Sequence, residues 1–178
     1  RLQTLVDDLM SLSRVEAEKH DQPREPLALT PLIKQAARDG AGHERFERVH
    51  FHIEDEALRV RGDHRQLEQL VRNLVDNALK YGGENEPVDV SLRHGERDMA
   101  VLTVRDYGEG ISAEHLPHLT RRFYRTDPGR SRAQGGTGLG LAICKHIVER
   151  HRGRLDIDSK LGDGTTVTVR LPLIPEAE

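Results

Sequence analysis

The segment Gly135-Gly136-Thr137-Gly138-Leu139-Gly140-Leu141-Ala142-Ile143 runs from a long polar loop straight into a helical pattern. Glycines let a backbone take positive φ and approach a ligand closely, and the N–H groups of the following first helical turn then point at an anion. The spacing excludes two common phosphate loops. No Gly-Lys-Ser/Thr follows, as a Walker A loop requires, and Leu141 stands where a dinucleotide fingerprint needs its third glycine. The segment therefore takes its meaning from the rest of the chain.

A long helical pattern runs from Asp63 to Tyr81. Asp63 reads as an N-cap, with Gln66 placed as in a capping box, and Leu67, Leu70, Val71, Leu74, Val75, Ala78 and Leu79 form one apolar face. Beside it Asn73, Asn77 and Lys80 fall at i, i+4 and i+7, a polar stripe with Tyr81 at its edge. Two readings fit the stripe: ordinary solvent exposure, or a site in which an Asn oxygen completes the shell of Mg²⁺ on a triphosphate, Lys80 balances phosphate charge and Tyr81 offers its ring to a base. From Met99 to Asp106 the alternation sets Ala100, Leu102, Val104 and Asp106 on one side of a strand. The carboxylate at the end of that row either opens an Asp-Tyr-Gly turn or awaits a donor such as the amine of adenine.

The remaining chain supplies a frame for these pieces. Leu2, Leu5, Leu9 and Leu12, widened by Val6, Met10 and Val15, predict an N-terminal helix that packs in an intermolecular helical bundle or on its own domain. Residues 20–29, with Pro23 and Pro26, read as a linker. Thr30-Pro31 predicts a helix start, with Thr30 as N-cap and Leu32, Ile33, Ala36 and Ala37 on one face. Val49 to Ile53 and Leu58 to Val60 read as two short strands forming a pair that Gly62 closes. Strands follow at Val88 to Leu92 and Met99 to Asp106, and a helix runs from Leu139 to about Arg150. The last pair, Arg154 to Ser159 and Thr165 to Leu171, forms a hairpin on Gly162-Asp163-Gly164. The stretch from Tyr107 to Gly136 is longer than a compact domain carries without a function and reads as a lid.

Composition narrows the partners. A net charge of -3 offers no basic field for nucleic acid. The single cysteine, Cys144, excludes an internal disulfide and reads as a small core residue, which fits a reducing cytoplasm. His146 and His151 read as helix-surface residues, and the pair His115 and His118 lacks further metal ligands nearby. No apolar run approaches a membrane span, and the start does not resemble a signal peptide. The abrupt start inside a helical pattern leads us to expect a piece of a longer protein.

Taken in order, Asn73 to Tyr81 (Asn-Leu-Val-Asp-Asn-Ala-Leu-Lys-Tyr), Asp106 to Ile111 (Asp-Tyr-Gly-Glu-Gly-Ile), Arg122 to Arg125 (Arg-Phe-Tyr-Arg) and Gly135 to Ile143 resemble the N, G1, F and G2 boxes of sensor histidine kinases. The segment from Leu119 through Arg132 looks most like the phosphate-regulon sensor kinases. The resemblance implies the Bergerat ATP-binding fold, an α/β two-layer sandwich with helices on one face of a mixed sheet. It implies ATP and Mg²⁺ as ligands, with Asn73, Asn77 and Lys80 as the catalytic set, Asn77 on the metal, and Asn73 and Lys80 near the phosphates. It sets Tyr81 and Asp106 at adenine, and Gly108, Gly110 and Ile111 along the base pocket. Phe123 belongs to the lid, while Gly136, Thr137, Gly138, Leu139, Gly140 and Leu141 border the triphosphate. Gly162 to Thr165 matches the G3 box, where the Thr helps hold the adenine end; a plain hairpin turn accounts for it nearly as well.

The implied organisation is the end of a dimerisation-domain helix (1–19), a linker (20–29), an ATP-binding catalytic domain (30–174) and a tail (175–178). The implied partners are the protein's own dimerisation and phosphoacceptor domain, within a homodimer, and a response regulator, with membrane attachment only through segments upstream. Two departures from the pattern stand out. Thr120 and Arg121 replace the Phe and acidic residue often found before the F box, and none of the ten histidines has the phosphoacceptor context. Two alternatives remain: a nucleotide-responsive interaction module or degenerate kinase, and an ATPase of the gyrase, Hsp90 and mismatch-repair group. Those ATPases carry a Glu where this chain has Asn73.

Overall fold

The computed structural model describes residues 2–124 and 138–175. In chain order the elements are α1 (Leu2–Glu18), β1 (Glu25–Ala28), α2 (Leu29–Arg45), β2 (Val49–Ile53), β3 (Arg59–Gly62), α3 (His64–Tyr81), β4 (Val88–His94), β5 (Met99–Asp106), α4 (Gly140–Arg150), β6 (Arg154–Lys160) and β7 (Gly164–Pro172). Five strands form one mixed sheet in the order β2-β4-β5-β7-β6, with β2 and β4 parallel and every other pair antiparallel. Alternation along the strands divides its faces. Val88, Val90 and Leu92 on β4, Ala100, Leu102 and Val104 on β5, and Val169 and Leu171 on β7 are buried beneath α2, α3 and α4. Ser91, Thr103 and Thr168 stand on the other, polar face. This is the two-layer sandwich the resemblance implies.

The predicted inner face of α3 is buried throughout, from Leu67 to Leu79. Each fully buried Leu or Val contributes about 1.5–3 kcal/mol, so this helix is the main anchor of the core and fixes the direction of its polar stripe. Asp63 caps it by accepting the Gln66 N–H at 3.1 Å. The return arm of the expected capping box is made differently: the Asp63 N–H donates to His151 Nε2 at 3.0 Å, and Gln66 Oε1 accepts from Arg150 Nη1 at 2.9 Å.

Four expectations need correction. His151 is buried, because Gly62 and the start of α3 pack against its ring, so it is no helix-surface residue. The linker contains a strand: β1 pairs antiparallel with β3, Glu25 opposite Gly62. Accordingly β2 and β3 do not pair, since β2 joins β4. Finally, α2 begins at Leu29 with Ala28 as its extended N-cap and no side-chain cap. The Leu29 N–H donates to Leu58 O at 3.0 Å, which carries the ribbon's bonding into the helix start. Pro31 remains in the first turn, where its missing N–H costs nothing.

Candidate functional site

Between α3, the ends of β5, β7 and β6, the loop after β5 and the start of α4 lies a cavity of about 540 Å³. The polar stripe of α3 forms one wall: Asn73, Asn77, Lys80 and Tyr81 all line it. Lys80 Nζ sits 3.0 Å from Asp76 Oδ2, and Asp76 Oδ1 lies 3.0 Å from Arg45 Nη2, so the lysine is tied to a carboxylate at the cavity wall. Behind Asn73 lies Cys144, hydrogen-bonded to the amide and donating to Leu70 O at 3.8 Å. Burial pushes its thiol up to about 12, with the Asn73 contact only partly opposing, so Cys144 is a packing residue as its sequence setting predicts.

The opposite end is set by the sheet. Asp106 is buried at the end of the inward row of β5, and Oδ1 accepts two backbone N–H groups, from Gly108 at 3.0 Å and from Thr165 at 3.2 Å. Burial raises its carboxyl above the usual range; the two N–H groups and Arg105 pull the other way without cancelling it. Thr165, Ile157 and Val167 continue the same wall on β7 and β6. Gly110 and Ile111 close it from the loop. Gly110 has φ of 77°, and a side chain there would meet Lys160 O at 2.2 Å, so the loop and the β6–β7 turn interlock only because this residue is glycine.

Gly138, Gly140 and Leu141 form the third side. Gly138 has φ of 79°, its carbonyl accepts the Phe123 N–H at 2.8 Å, and a side chain on it would strike Phe123 Cα at 2.6 Å. Leu139 at the N-cap of α4 has no capping side chain, and the helix N-terminus faces the cavity through Gly138, Gly140 and Leu141. The Asn77 amide lies 3.8 and 4.0 Å from the position a Cβ on Gly140 would take. The absent side chain leaves a gap between a helix N-terminus and an Asn oxygen, and that combination suits a phosphate with a hard cation on it.

Of the residues named from sequence, three stand apart from the cavity. Gly108 lies behind the wall against Tyr81 O, Leu139 is buried in the core, and the Phe123 side chain is exposed outside it. Gly136 and Thr137 lie outside the described residues. The structure also adds residues that sequence reasoning missed: Asp76, Thr4 and Asp8 on α1, and His115 with Tyr124, whose Nδ1 and hydroxyl are 2.5 Å apart. Asp76 had a readable signal, being four residues before Lys80. Thr4 and Asp8 share the i, i+4 spacing, but nothing in the sequence says what α1 leans on. Among the described residues no group of three or more His, Cys, Asp or Glu could hold a metal ion, and no helix is long and apolar enough to cross a membrane.

Comparison with known proteins gives a consistent setting. Residues 62–175 match the family model described as histidine kinase-, DNA gyrase B-, and HSP90-like ATPase. The chain is 37% identical over 172 residues to the phosphate regulon sensor protein PhoR of Pseudomonas aeruginosa, covering 94% of this chain and 38% of that protein. It is 41% identical over 177 residues to the signal transduction histidine-protein kinase BaeS of Escherichia coli, covering 97% and 37%. It thus spans under two-fifths of the length of these relatives. Among solved structures, the mycobacterial sensor histidine kinase MprB superposes with a TM-score of 0.72 at 30% identity, covering 85% of this chain and 99% of that one. The catalytic domain of histidine kinase ThkA gives 0.70 at 27%, covering 85% and 96%.

Proposed function

The chain belongs to the histidine kinase-, DNA gyrase B-, and HSP90-like ATPase family, and from that membership we propose that it is the ATP-binding catalytic domain of a sensor histidine kinase. Its task is to deliver the γ-phosphoryl group of ATP to a histidine on a dimerisation domain, as one step of two-component signalling. The observation that carries this reading is one cavity with a buried carboxylate at one end and, at the other, the Asn77 amide facing the start of α4 across the gap at Gly140.

In this reading Asp106 accepts the adenine amine, Tyr81 stacks near the base, and Thr165 helps hold that end, with Gly110 and Ile111 along the ring and Gly108 behind them. Asn73 and Lys80 face the phosphates, and Gly136, Thr137, Gly138, Leu139, Gly140 and Leu141 form the loop and helix start beside them, with Phe123 in the lid. Asn77 would hold Mg²⁺, which would supply charge neutralisation at the triphosphate. Phosphoryl transfer depends mostly on positioning and electrostatics, and this chain's own residues supply a helix N-terminus, two amides and a lysine for it. Asp76 holds Lys80 beside the cavity, so the lysine acts as part of an ion pair and not as an isolated charge.

A hydrolytic role in the manner of the gyrase and Hsp90 branch is disfavoured by Asn73, an amide that cannot act as a base toward water. We further assign residues 1–19 to the end of a dimerisation-domain helix, shorten the expected linker to 20–24 because β1 and the start of α2 belong with the catalytic domain, carry that domain to 174, and leave 175–178 as a tail. We assign the acceptor histidine, a homodimeric bundle and membrane attachment to a longer protein, whose cytoplasmic side would hold this domain, with a response regulator as its separate partner. Calorimetric titration with ATP, ADP and GTP, each with and without Mg²⁺, tests the site. The expected result is adenine-selective binding that tightens for ATP with Mg²⁺; absence of binding would favour an interaction module. When an acceptor domain is supplied, Asn77→Ala is expected to lose phosphoryl transfer by at least about a hundredfold while staying folded. Retained transfer would refute the metal role.

A further inference from the structure

Ser159 does not line the cavity, yet its hydroxyl sits directly behind the end assigned to the base. It pairs with Thr165 across β6 and β7, and the Thr165 N–H in turn reaches Asp106, so the three side chains form one row across three strands. Three groups meet Ser159 Oγ: the Ile111 N–H at 2.7 Å, the Gly164 carbonyl at 3.0 Å and Thr165 Oγ1 at 2.8 Å.

The protons of this cluster can be assigned from chemistry alone. A hydroxyl has one proton and two lone pairs. The Gly164 carbonyl can only accept, so the Ser159 proton goes there. The Ile111 amide can only donate, so it occupies one Ser159 lone pair. The contact with Thr165 must then use the other lone pair, and Thr165 is its donor. Ser159 is fully satisfied, and Thr165, a residue of the cavity wall, has its proton committed behind that wall, so its hydroxyl has only lone pairs to offer a ligand. Beside it Asp106, when ionised, also only accepts. This end of the cavity is built to receive N–H groups, and it leaves an incoming carbonyl oxygen facing acceptors.

We propose that Ser159 is a positioning residue for purine selectivity: by taking the Thr165 proton it makes the base end of the cavity acceptor-only, which favours a 6-amino purine over a 6-oxo purine. Without Ser159 the Thr165 hydroxyl is able to rotate and donate into the cavity, and a 6-oxo group gains a partner there. The proposal rests on the adenine-site reading given above.

The test is calorimetric titration of the full chain with MgATP and with MgITP, in which the 6-amino group is replaced by 6-oxo. Melting temperature is recorded for each variant. The wild-type chain is expected to prefer ATP. Ser159→Ala is expected to lower the ATP/ITP affinity ratio by about tenfold, the worth of one buried polar contact, and Ser159→Thr, which keeps the hydroxyl, to restore it. Thr165→Val removes the same proton and lone pairs without touching Ser159, so it keeps the test decisive if Ser159→Ala does not fold. Its ratio must also fall, and adding Ser159→Ala to it must lower the ratio no further. A folded Ser159→Ala chain with the wild-type ratio, or an unchanged ratio in Thr165→Val, overturns this proposal alone. A wild-type chain that binds neither nucleotide, or prefers ITP, overturns the adenine-site reading and this proposal with it.

Discussion

Asp106 occupies a position where an apolar residue would cost the fold less. It extends the buried row of Ala100, Leu102 and Val104, and burial holds its carboxyl above the ordinary range despite two backbone N–H donors. A carboxylate with a raised pKa in the folded state contributes stability that is full below its unfolded value of 3.8 and is lost as pH rises through the folded value. At neutral pH the ionised group is therefore less favourable to the fold than its protonated form would be, and the proposed adenine contact is what the charge serves. Asn in its place keeps an oxygen for the Gly108 and Thr165 N–H groups and removes the charge. We expect Asp106→Asn to melt at the same or a higher temperature at pH 7, to lose the relative gain that the wild-type chain makes from this group on acidification, and to bind ATP at least about tenfold more weakly. Paired melting scans at pH 7 and 4 with an ATP titration check this; a clearly lower melting temperature at pH 7 would make Asp106 a structural residue. The parity of its strand made Asp106 legible in the sequence, as the i, i+4 stripe did for Asn73 and Asn77. His115 and Tyr124 were not legible as cavity residues, because their arrival at the wall depends on the path of the loop and not on any local period.

The joint between helices was legible only by halves. The faces of α2, α3 and α4 follow from a 3.6-residue period and that of β4 from a two-residue period, and the same period holds on β5 apart from Val101, which is buried on the opposite face. The strand β1 was missed since only Leu27 of its four residues is buried and Pro26 interrupts any pattern. His151 was misread because its burial comes from residues 88 positions away. Its Nε2 must accept from Asp63 N–H, so Nδ1 carries the proton and donates to Ile147 O at 2.7 Å, and the ring is neutral in the fold. Burial is the main cause of its lowered pKa, and Arg150 adds to it, against the Ile147 and Asp63 contacts. The stability it contributes is present above 6.5 and is lost as pH falls through the lowered folded value. We expect urea-unfolding free energy to decline below pH 6.5, and His151→Gln, which keeps an acceptor but does not titrate, to flatten that slope. The less buried His146, shifted in the same direction, supplies what remains. An unchanged slope in the variant would exclude this assignment. Arg150 completes the joint: its Nε donates to Glu18 O and Asp21 O, and its Nη1 to Asp63 and Gln66, which fastens the end of α1 to both α3 and α4. Arg150→Met is expected to cost about 2–3 kcal/mol by urea denaturation. That is less than a fully buried pair would cost, because Asp63 and Glu18 can recover water. A loss under about 0.5 kcal/mol would mean the joint adds no stability.

At the scale of the whole chain α1 settles half of the question the leucine stripe left open: packing on its own domain holds for part of the helix, and a bundle is our proposal for the rest. Leu12 and Val15 are buried against α4, and Glu16 pairs with Arg122 at the end of the loop and approaches His146 at 3.6 Å. Further up, Thr4 and Asp8 line the cavity, whereas Leu2 and Met10 are 76% and 59% exposed and Val6 and Leu9 are each 40% exposed. One side of the helix is thus spent on its own domain, and the other is apolar and uncovered, as a helix shared with a bundle in a longer protein would be. Nothing in the residue pattern divides the stripe, because a heptad pattern and a domain-packing face use the same leucines. The division predicts unequal responses to the same truncation. Leu12→Ala removes a fully buried side chain and is expected to cost about 2–5 kcal/mol, while Leu9→Ala, half in water, stays within about 0.5 kcal/mol in the monomeric chain. Urea denaturation of the two variants at a concentration where the chain is monomeric reads the difference directly. Equal small losses would mean that α1 is not held on the catalytic layer. Equal large losses would mean that the exposed stripe is already covered, and concentration-dependent unfolding would then identify a second copy as the cover.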